Sequence, residues 1–217
     1  MTKEEIFETL RMRICLLDYA PEARLNEREL AAEFGISRTP MRAVLQRLER
    51  DGLIESRHGQ GTSVTSIDLK RMHDVYLVRM RLTEALADSE QLPLSDELEA
   101  QLADLVAACD MVGKSRDKRE FAQINIRLNT ILHGLVKNDV LREINEKLFF
   151  ESARFWFLLL DELDFAEQVR ALSDEISMIR RAIALRDIKL AAEIHKSHLA
   201  LVLSSIRQQS DASGDTL

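Results

Sequence analysis

The sequence predicts a mainly α protein: an N-terminal winged helix-turn-helix of three helices and a two-stranded wing, then an all-α antiparallel bundle of about six helices. Three observations carry this. Between Leu25 and Ile54, two short helical patterns flank a glycine turn. Four of the seven glycines and two of the three prolines fall within residues 21–61, so the turn-forming residues crowd one stretch. Beyond residue 66 helical periodicity takes over, with the short connections that join antiparallel neighbours.

The opening helix spans 3–17, with Ile6, Leu10, Ile14 and Leu17 on its buried stripe, and Asp18 to Arg24 turns through Pro21. Asn26 is an N-cap for the next helix, and Glu29 three residues on can close a capping box. Leu30 and Phe34 share one face, and Gly35 stands where a helix end favours a left-handed residue. Ser37 caps the following helix, and Pro40 is tolerated in its first turn.

In that helix Met41, Val44, Leu45 and Leu48 recur at i, i+3, i+4 and i+7, which makes a single packing stripe. Arg38, Thr39, Arg42, Ala43 and Gln46 lie opposite. An ordinary solvated face would not place arginines near the N-terminus, where the helix dipole favours acids. Arg and Gln make bidentate contacts to base edges, and Arg and Thr also hold phosphates. The pattern is that of a recognition helix in a DNA groove. Leu53–Ser56 and Thr62–Thr65 then read as two strands around an Arg57–Gly61 turn. Such a wing brings Arg57, His58 and Gly59 towards a minor groove or phosphates.

Residues 66–68 form a linker. A long helix from Leu69 to about Gln91 carries Met72, Val75, Tyr76, Arg79, Leu82 and Leu86, and Pro93 with Ser95 breaks and restarts the chain. Helices follow over 95–112, about 117–136 and about 139–159. Residues 161–171 fit either a further helix or the end of the preceding one. Ser173 is read as the cap of a helix to Arg186, and Asp187 starts the last helix, which ends near Arg207. The polar tail 208–217 is expected to be disordered. Phe149, Phe150, Phe155, Trp156 and Phe157 read as core and dimer contacts. The domains are therefore 1–66 and 67–207.

The net charge of −7 is unevenly spread. Residues 1–66 hold ten basic and eleven acidic side chains, the remainder twenty and twenty-six, while residues 36–58 hold five arginines against three acids. A weakly basic module has modest affinity for DNA alone, and two copies on one dimer supply the rest. No apolar run approaches eighteen residues and no signal pattern opens the chain, so a cytoplasmic location away from membranes is expected. Cys15 and Cys109 fit no metal or redox spacing and read as buried thiols.

The stretches Glu27–Ala31, Gly35–Arg42 and Leu48–Ile54 resemble the winged-helix domain of GntR-type bacterial transcription regulators. The resemblance implies DNA contacts by Arg28 from the first helix of the motif, by Arg38, Thr39 and Arg42 from the recognition helix, and by His58 and Gly59 at the wing tip; Ser37 and Gln46, read from the helix itself, complete the candidate DNA contacts. The family pattern Arg-Glu-Ala-Leu is replaced by Arg42-Ala43-Val44-Leu45, which removes an acid from the DNA side. Tyr76–Arg79, His133–Leu141 and Ala182–Asp187 through His198-Leu199 resemble the FCD effector domain of the FadR-like branch. That implies a homodimer, a small organic acid or related metabolite as effector and a pseudo-palindromic double-stranded operator.

Many FCD domains hold a divalent metal with one Asp and three His. Alignment on Asn138 and on Arg186-Asp187 places those positions on Asn125, Asn129, Ile176 and His198. Two neutral amides, an isoleucine and one imidazole cannot hold such an ion, so no metal and no cofactor is expected. His133 and His195, one turn from Asn129 and His198, leave open a rebuilt site. Arg79, Asn125, Asn129 and His198 are the candidate effector contacts, and Arg79 is the candidate for a carboxylate, with an intra-bundle ion pair, to Glu84 elsewhere in the dimer or to another acid, as the alternative. The expected function is a DNA-binding regulator, a repressor rather than an activator, modulated by an effector. Two alternatives stand beside it: a DNA-binding dimer whose helical half only dimerises, and a metal-dependent enzyme on the bundle. Against the enzyme, the sequence has no nucleophile–base spacing and no complete ligand set.

Overall fold

The computed structural model describes residues 1–57 and 61–213, with side chains as far as residue 205. Two compact units emerge. The first is Met1–Asp68 together with Phe150–Leu158; the second is Leu69–Phe149 and the chain from Leu159 onward.

In the first unit, α1 (Lys3–Cys15) begins with a capping box: Thr2 accepts from the Glu5 amide, and Glu5 accepts from the Thr2 amide. The helix ends two residues before the expected Leu17. Leu17 instead takes a left-handed φ of 59°, the Leu17 amide donates to Ile14 and the Asp18 amide to Arg13. This is a Schellman end without glycine. α2 (Glu27–Glu33) and α3 (Arg38–Arg50) form the helix-turn-helix. Asn26 accepts from the Arg28 and Glu29 amides, and its own amide donates to the Glu29 carboxylate. Both helices end in Schellman turns, with Gly35 at φ +64° and Gly52 at φ +78°.

The sheet has three strands, one more than expected. β1 (Arg24–Leu25), β2 (Ile54–Arg57) and β3 (Gly61–Val64) lie in the order β1-β3-β2, all antiparallel. Arg24 pairs with Ser63 and Leu25 with Thr62, so the end of the Pro21 turn closes the otherwise open edge of the returning wing strand. Two residues are too short for an alternation signal, and β1 was illegible for that reason. Ile6, Leu10, Ile14, Leu30, Met41, Val44, Leu45, Leu48, Leu53, Ile54 and Val64 form the core of this unit.

Residues 150–158 complete the unit. They belong to α7 (Asp139–Leu159). Arg154 is 2% exposed and donates to the carbonyls of Thr65 (2.8 Å) and Ser66 (3.2 Å), at the exit of β3. The Arg11 guanidinium sits 3.7 Å from the Phe150 ring centroid, and the Cys15 thiol donates to the Phe150 carbonyl.

The second unit consists of α4 (Leu69–Asp88), α5 (Asp96–Ser115), α6 (Lys118–Gly134), the first half of α7, α8 (Phe165–Ala184) and α9 (Ile188–Ser213). α4 packs on α9, α5 on α6 and α8, and α8 on α9. Ser95, Asp117 and Asp164 cap α5, α6 and α8 by accepting from the first-turn amides. Two expectations are corrected. Residues 165–171 open α8, because Asp164 is the cap, and Ser173 lies inside that helix rather than at its start. The last helix runs beyond Arg207 to Ser213, so residues 208–213 are helical rather than disordered, while 214–217 lie outside the described residues. Cys15 and Cys109 are buried free thiols, and burial pushes each up to about 12. No described helix is long and apolar enough to cross a membrane.

Candidate nucleic-acid interface and buried polar cluster

α3 has two faces with opposite chemistry. Met41, Val44, Leu45 and Leu48 are buried, while Ser37, Arg38, Thr39, Arg42, Ala43 and Gln46 are exposed. Ser37 occupies the N-cap position, but its hydroxyl makes no cap hydrogen bond. The first-turn amides of α3 thus keep unused donor capacity, which suits a phosphate oxygen. Arg28, exposed on α2, and Arg38, Thr39 and Gln46 on α3 make no side-chain hydrogen bond or ion pair among the described residues.

Arg42 differs. Its guanidinium makes a bidentate contact with Glu27 of α2, at 3.1 Å through Nε and 3.0 Å through Nη2. The Glu27 hydrogen bond, then its charge, raise the Arg42 pKa. Sequence reasoning missed this pair: fifteen residues separate the two, and only the crossing of α2 and α3 joins them. Arg47, on the flank of α3, is a packing residue, 3.7 Å from the Phe7 ring centroid and paired with Glu4. At the wing, Arg57 pairs with Glu55 at the end of β2. His58 and Gly59, the expected tip contacts, lie outside the described residues.

In the second unit the expected effector residues have different protein partners. Asn129 of α6 is 6% exposed and accepts from the Asn145 amide of α7 at 3.1 Å, so this buried pair satisfies part of its own need. Asn125 does not face fully inward as expected: it is half-buried and donates to the Phe121 carbonyl of its own helix. The i−4 back-bond competes with an inward reach. Ile176 is fully buried core. Within the chain Glu84 pairs with Arg81 and Lys196.

Arg79 of α4 is buried with its guanidinium 5.1 Å from the Phe149 ring centroid and 5.3 Å from that of Tyr76. Glu175 of α8, 5% exposed, accepts from or donates to His195 Nδ1 at 2.6 Å, and its other oxygen lies 3.4 Å from His198 Nδ1. Burial pushes the Glu175 carboxyl up to about 7, against the pull of His198 and Arg79. Burial, then the Arg79 charge, pushes His195 down to about 3. Burial, then His195 and Arg79, pushes His133 of α6 down to about 2. His198 is lowered mainly by burial, against the Glu175 charge. The imidazoles are therefore neutral near pH 7, and burial lowers the Arg79 pKa against the pull of Tyr76 and Glu175. Glu175 was not singled out by sequence. It stands next to Ile176, and the one available signal was an acid on the buried stripe of α8.

The fit to a divalent ion is poor. Asn125 and Asn129 spend their amides on protein partners, Ile176 has no donor atom, and Glu175 spends its oxygens on His195 and His198. Among the described residues no group of three or more His, Cys, Asp or Glu side chains is placed to hold a metal.

Family models match both parts of the chain: residues 2–64 match "Bacterial regulatory proteins, gntR family", and residues 74–201 match "FCD domain". The chain is a GntR-family DNA-binding transcription regulator with an FCD domain. A relative in Bacillus subtilis (strain 168), the "Uncharacterized HTH-type transcriptional regulator YdhC", is 27% identical over 157 residues, 67% of each chain. The "HTH-type transcriptional repressor RspR" of Escherichia coli (strain K12) is 21% identical over 206 residues, covering 94% of this chain and 89% of that one. The solved structure of E. coli McbR/YncC has the same fold, with a TM-score of 0.77 at 18% identity, covering 96% of this chain and 99% of that one. In this GntR regulator α2 and α3 form the helix-turn-helix and the sheet that follows is the wing.

Proposed function

We propose that the chain is a homodimeric repressor that binds a pseudo-palindromic double-stranded operator and is released or tightened on it by a small organic acid. Residues 1–66 grip DNA, and residues 67–207 form the effector and dimer domain. The carrying observation is the exposed N-terminal face of α3, where Ser37, Arg38, Thr39 and Gln46 keep their donors while the opposite stripe is buried. Arg42 joins them, oriented by Glu27, and Arg28 contributes from α2. Repression is supported by the relative named as a repressor, and a cytoplasmic site of action by DNA as the partner. The effector contacts are Arg79, Asn129 and His198, with Asn125 in a supporting place at the edge. The chain acts by binding and not by catalysis.

Purified protein used to select duplexes from a random pool tests this reading. It predicts enrichment of an inverted repeat, bound by two chains. Recovery of no preferred sequence, or of a site bound by one chain at full affinity, overturns it.

A further inference from the structure

The base of the wing is held by a helix far along the chain. α3 turns into β2 at Gly52, where φ is +78°. The returning strand ends beside that turn. The Thr65 amide donates to the Leu53 carbonyl at 3.1 Å, and the Thr65 hydroxyl donates to the carbonyls of Gly52 (2.8 Å) and Leu53 (3.2 Å). Arg154 supplies the next link: its Nη1 donates to the Thr65 carbonyl at 2.8 Å and its Nη2 to the Ser66 carbonyl at 3.2 Å. Glu151, one turn earlier on α7, backs the other end of the wing, since a Cβ on Gly52 would lie 3.9 Å from its carboxylate. Both ends of the wing thus rest on one stretch of α7. That stretch is fixed to α1 by the Cys15 thiol on the Phe150 carbonyl and by the Arg11 guanidinium over the Phe150 ring, and α1 packs on α3.

Arg154 is 2% exposed and Glu151 5%. A guanidinium so buried bears a desolvation cost, and its planar fork matches two carbonyls at a fixed spacing. The wing strands have four residues each and β1 adds only two, so the ribbon is too short to hold its own direction.

We propose that Arg154, with Glu151 against the turn at Gly52, is a positioning residue for DNA recognition: it fixes the angle of the wing against α3 and makes residues 150–158 part of the DNA-binding unit in function as well as in fold. This rests on the reading that α3 and the wing share one operator half-site, and it adds a residue that touches no DNA. Without the guanidinium, the Thr65 and Ser66 carbonyls turn to water and the end of β3 is released. Arg57, exposed at the end of β2, then loses its fixed place relative to α3. Phosphate contacts set the register of a protein on a duplex, so a wing without a fixed angle gives up charge contacts that α3 does not replace.

The test is the salt dependence of operator binding by the full chain. It is measured by fluorescence anisotropy on the duplex that wild type selects, well below the melting temperature of each variant. Arg154→Met should weaken binding by about tenfold and lower the slope of log K against log salt by about one, although Arg154 itself lies inside the protein. Arg57→Ala should cost about as much in wild type and little more in the Arg154→Met background, whereas Arg38→Ala should cost the same in both. Arg154→Lys, which keeps donors for the same carbonyls, should recover part of the affinity and of the slope. Ile179→Val, buried in the second unit, is the control for stability alone: it lowers Tm and leaves the slope unchanged. Should Arg154→Met not fold, Thr65→Val decides, because it unties the wing from the end of α3 and should lower the slope in the same way.

The proposal is overturned if folded Arg154→Met keeps the wild-type affinity and slope, if its loss adds fully to that of Arg57→Ala, if lysine does no better than methionine, or if Ile179→Val lowers the slope as much. Where Thr65→Val decides, an unchanged slope overturns it. A wild type that selects no operator defeats the DNA-binding reading and this proposal together. A wild type that binds tightly beside an unaltered Arg154→Met defeats this proposal alone.

Discussion

The exposed face of α3 and the polar cluster of the bundle both carry unused hydrogen-bonding groups, and water makes them unlike. On α3, Arg38, Thr39 and Gln46 are solvated, so leaving them without protein partners costs little and DNA can replace the water. In the bundle, the His133 ring nitrogens and His195 Nε2 are buried with no hydrogen-bond partner among the described residues, so the fold bears a penalty for them. The surface face can therefore be changed with little harm to stability, whereas a change in the buried cluster alters stability itself.

The sharpest way to break that contrast is on α3 itself. Leu48→Ala, on the fully buried stripe, should destabilise the protein by about 2–5 kcal/mol in denaturant unfolding. Arg38→Ala on the opposite face should leave unfolding unchanged while weakening operator binding. Loss of stability in both would show that the two faces are not separate.

The cluster should reveal itself through pH. Glu175 rises from 4.5 to about 7 on folding, so its contribution is fully present below pH 4.5 and lost as pH rises through about 7. His133 and His195 are depressed, so theirs is present above about 6.5 and lost as pH falls. Glu175→Gln removes only the first effect. Relative to wild type, the variant should gain on the order of 2–3 kcal/mol between pH 4.5 and pH 8. A difference that stays flat with pH would mean that Glu175 titrates like an exposed acid.

Arg154 gives a smaller effect in the first unit. Arg154→Met strands the Thr65 and Ser66 carbonyls and should cost about 1–3 kcal/mol of stability. A neutral result would place those carbonyls in water.

Legibility followed the range of the interactions. The helix-turn-helix was readable because its caps, its glycine turn and its apolar stripe are local: Asn26, Gly35 and the Met41–Leu48 pattern behave as their spacing says. The wing strands were readable for the same reason, and β1 was not, since two residues show no period. The role of residues 150–158 was hidden because Phe150 and Arg154 meet partners more than eighty residues away in sequence. In the bundle, the buried stripe of Ile176, Ile179 and Ile183 was legible from its spacing. The Glu175–His195 contact was not, because it joins two helices twenty residues apart through side chains that each look ordinary alone.

The smallest expected effect concerns the pair that spans α2 and α3. Glu27→Gln should leave folding unchanged, strengthen binding to non-operator DNA by removing an acid, and reduce discrimination for the operator by releasing Arg42. Unchanged discrimination, measured by competition, would show that Glu27 does not orient Arg42.

The central claim is that the N-terminal half of α3 reads DNA, and Arg42 beside Arg50 tests it most directly. Both are exposed on the same helix, two turns apart. Fluorescence anisotropy on the selected operator, at one fixed salt concentration, should show Arg42→Ala weaker by about tenfold or more and Arg50→Ala clearly less affected, with identical melting curves. Equal losses for the two variants, or no loss for Arg42→Ala, would contradict the account.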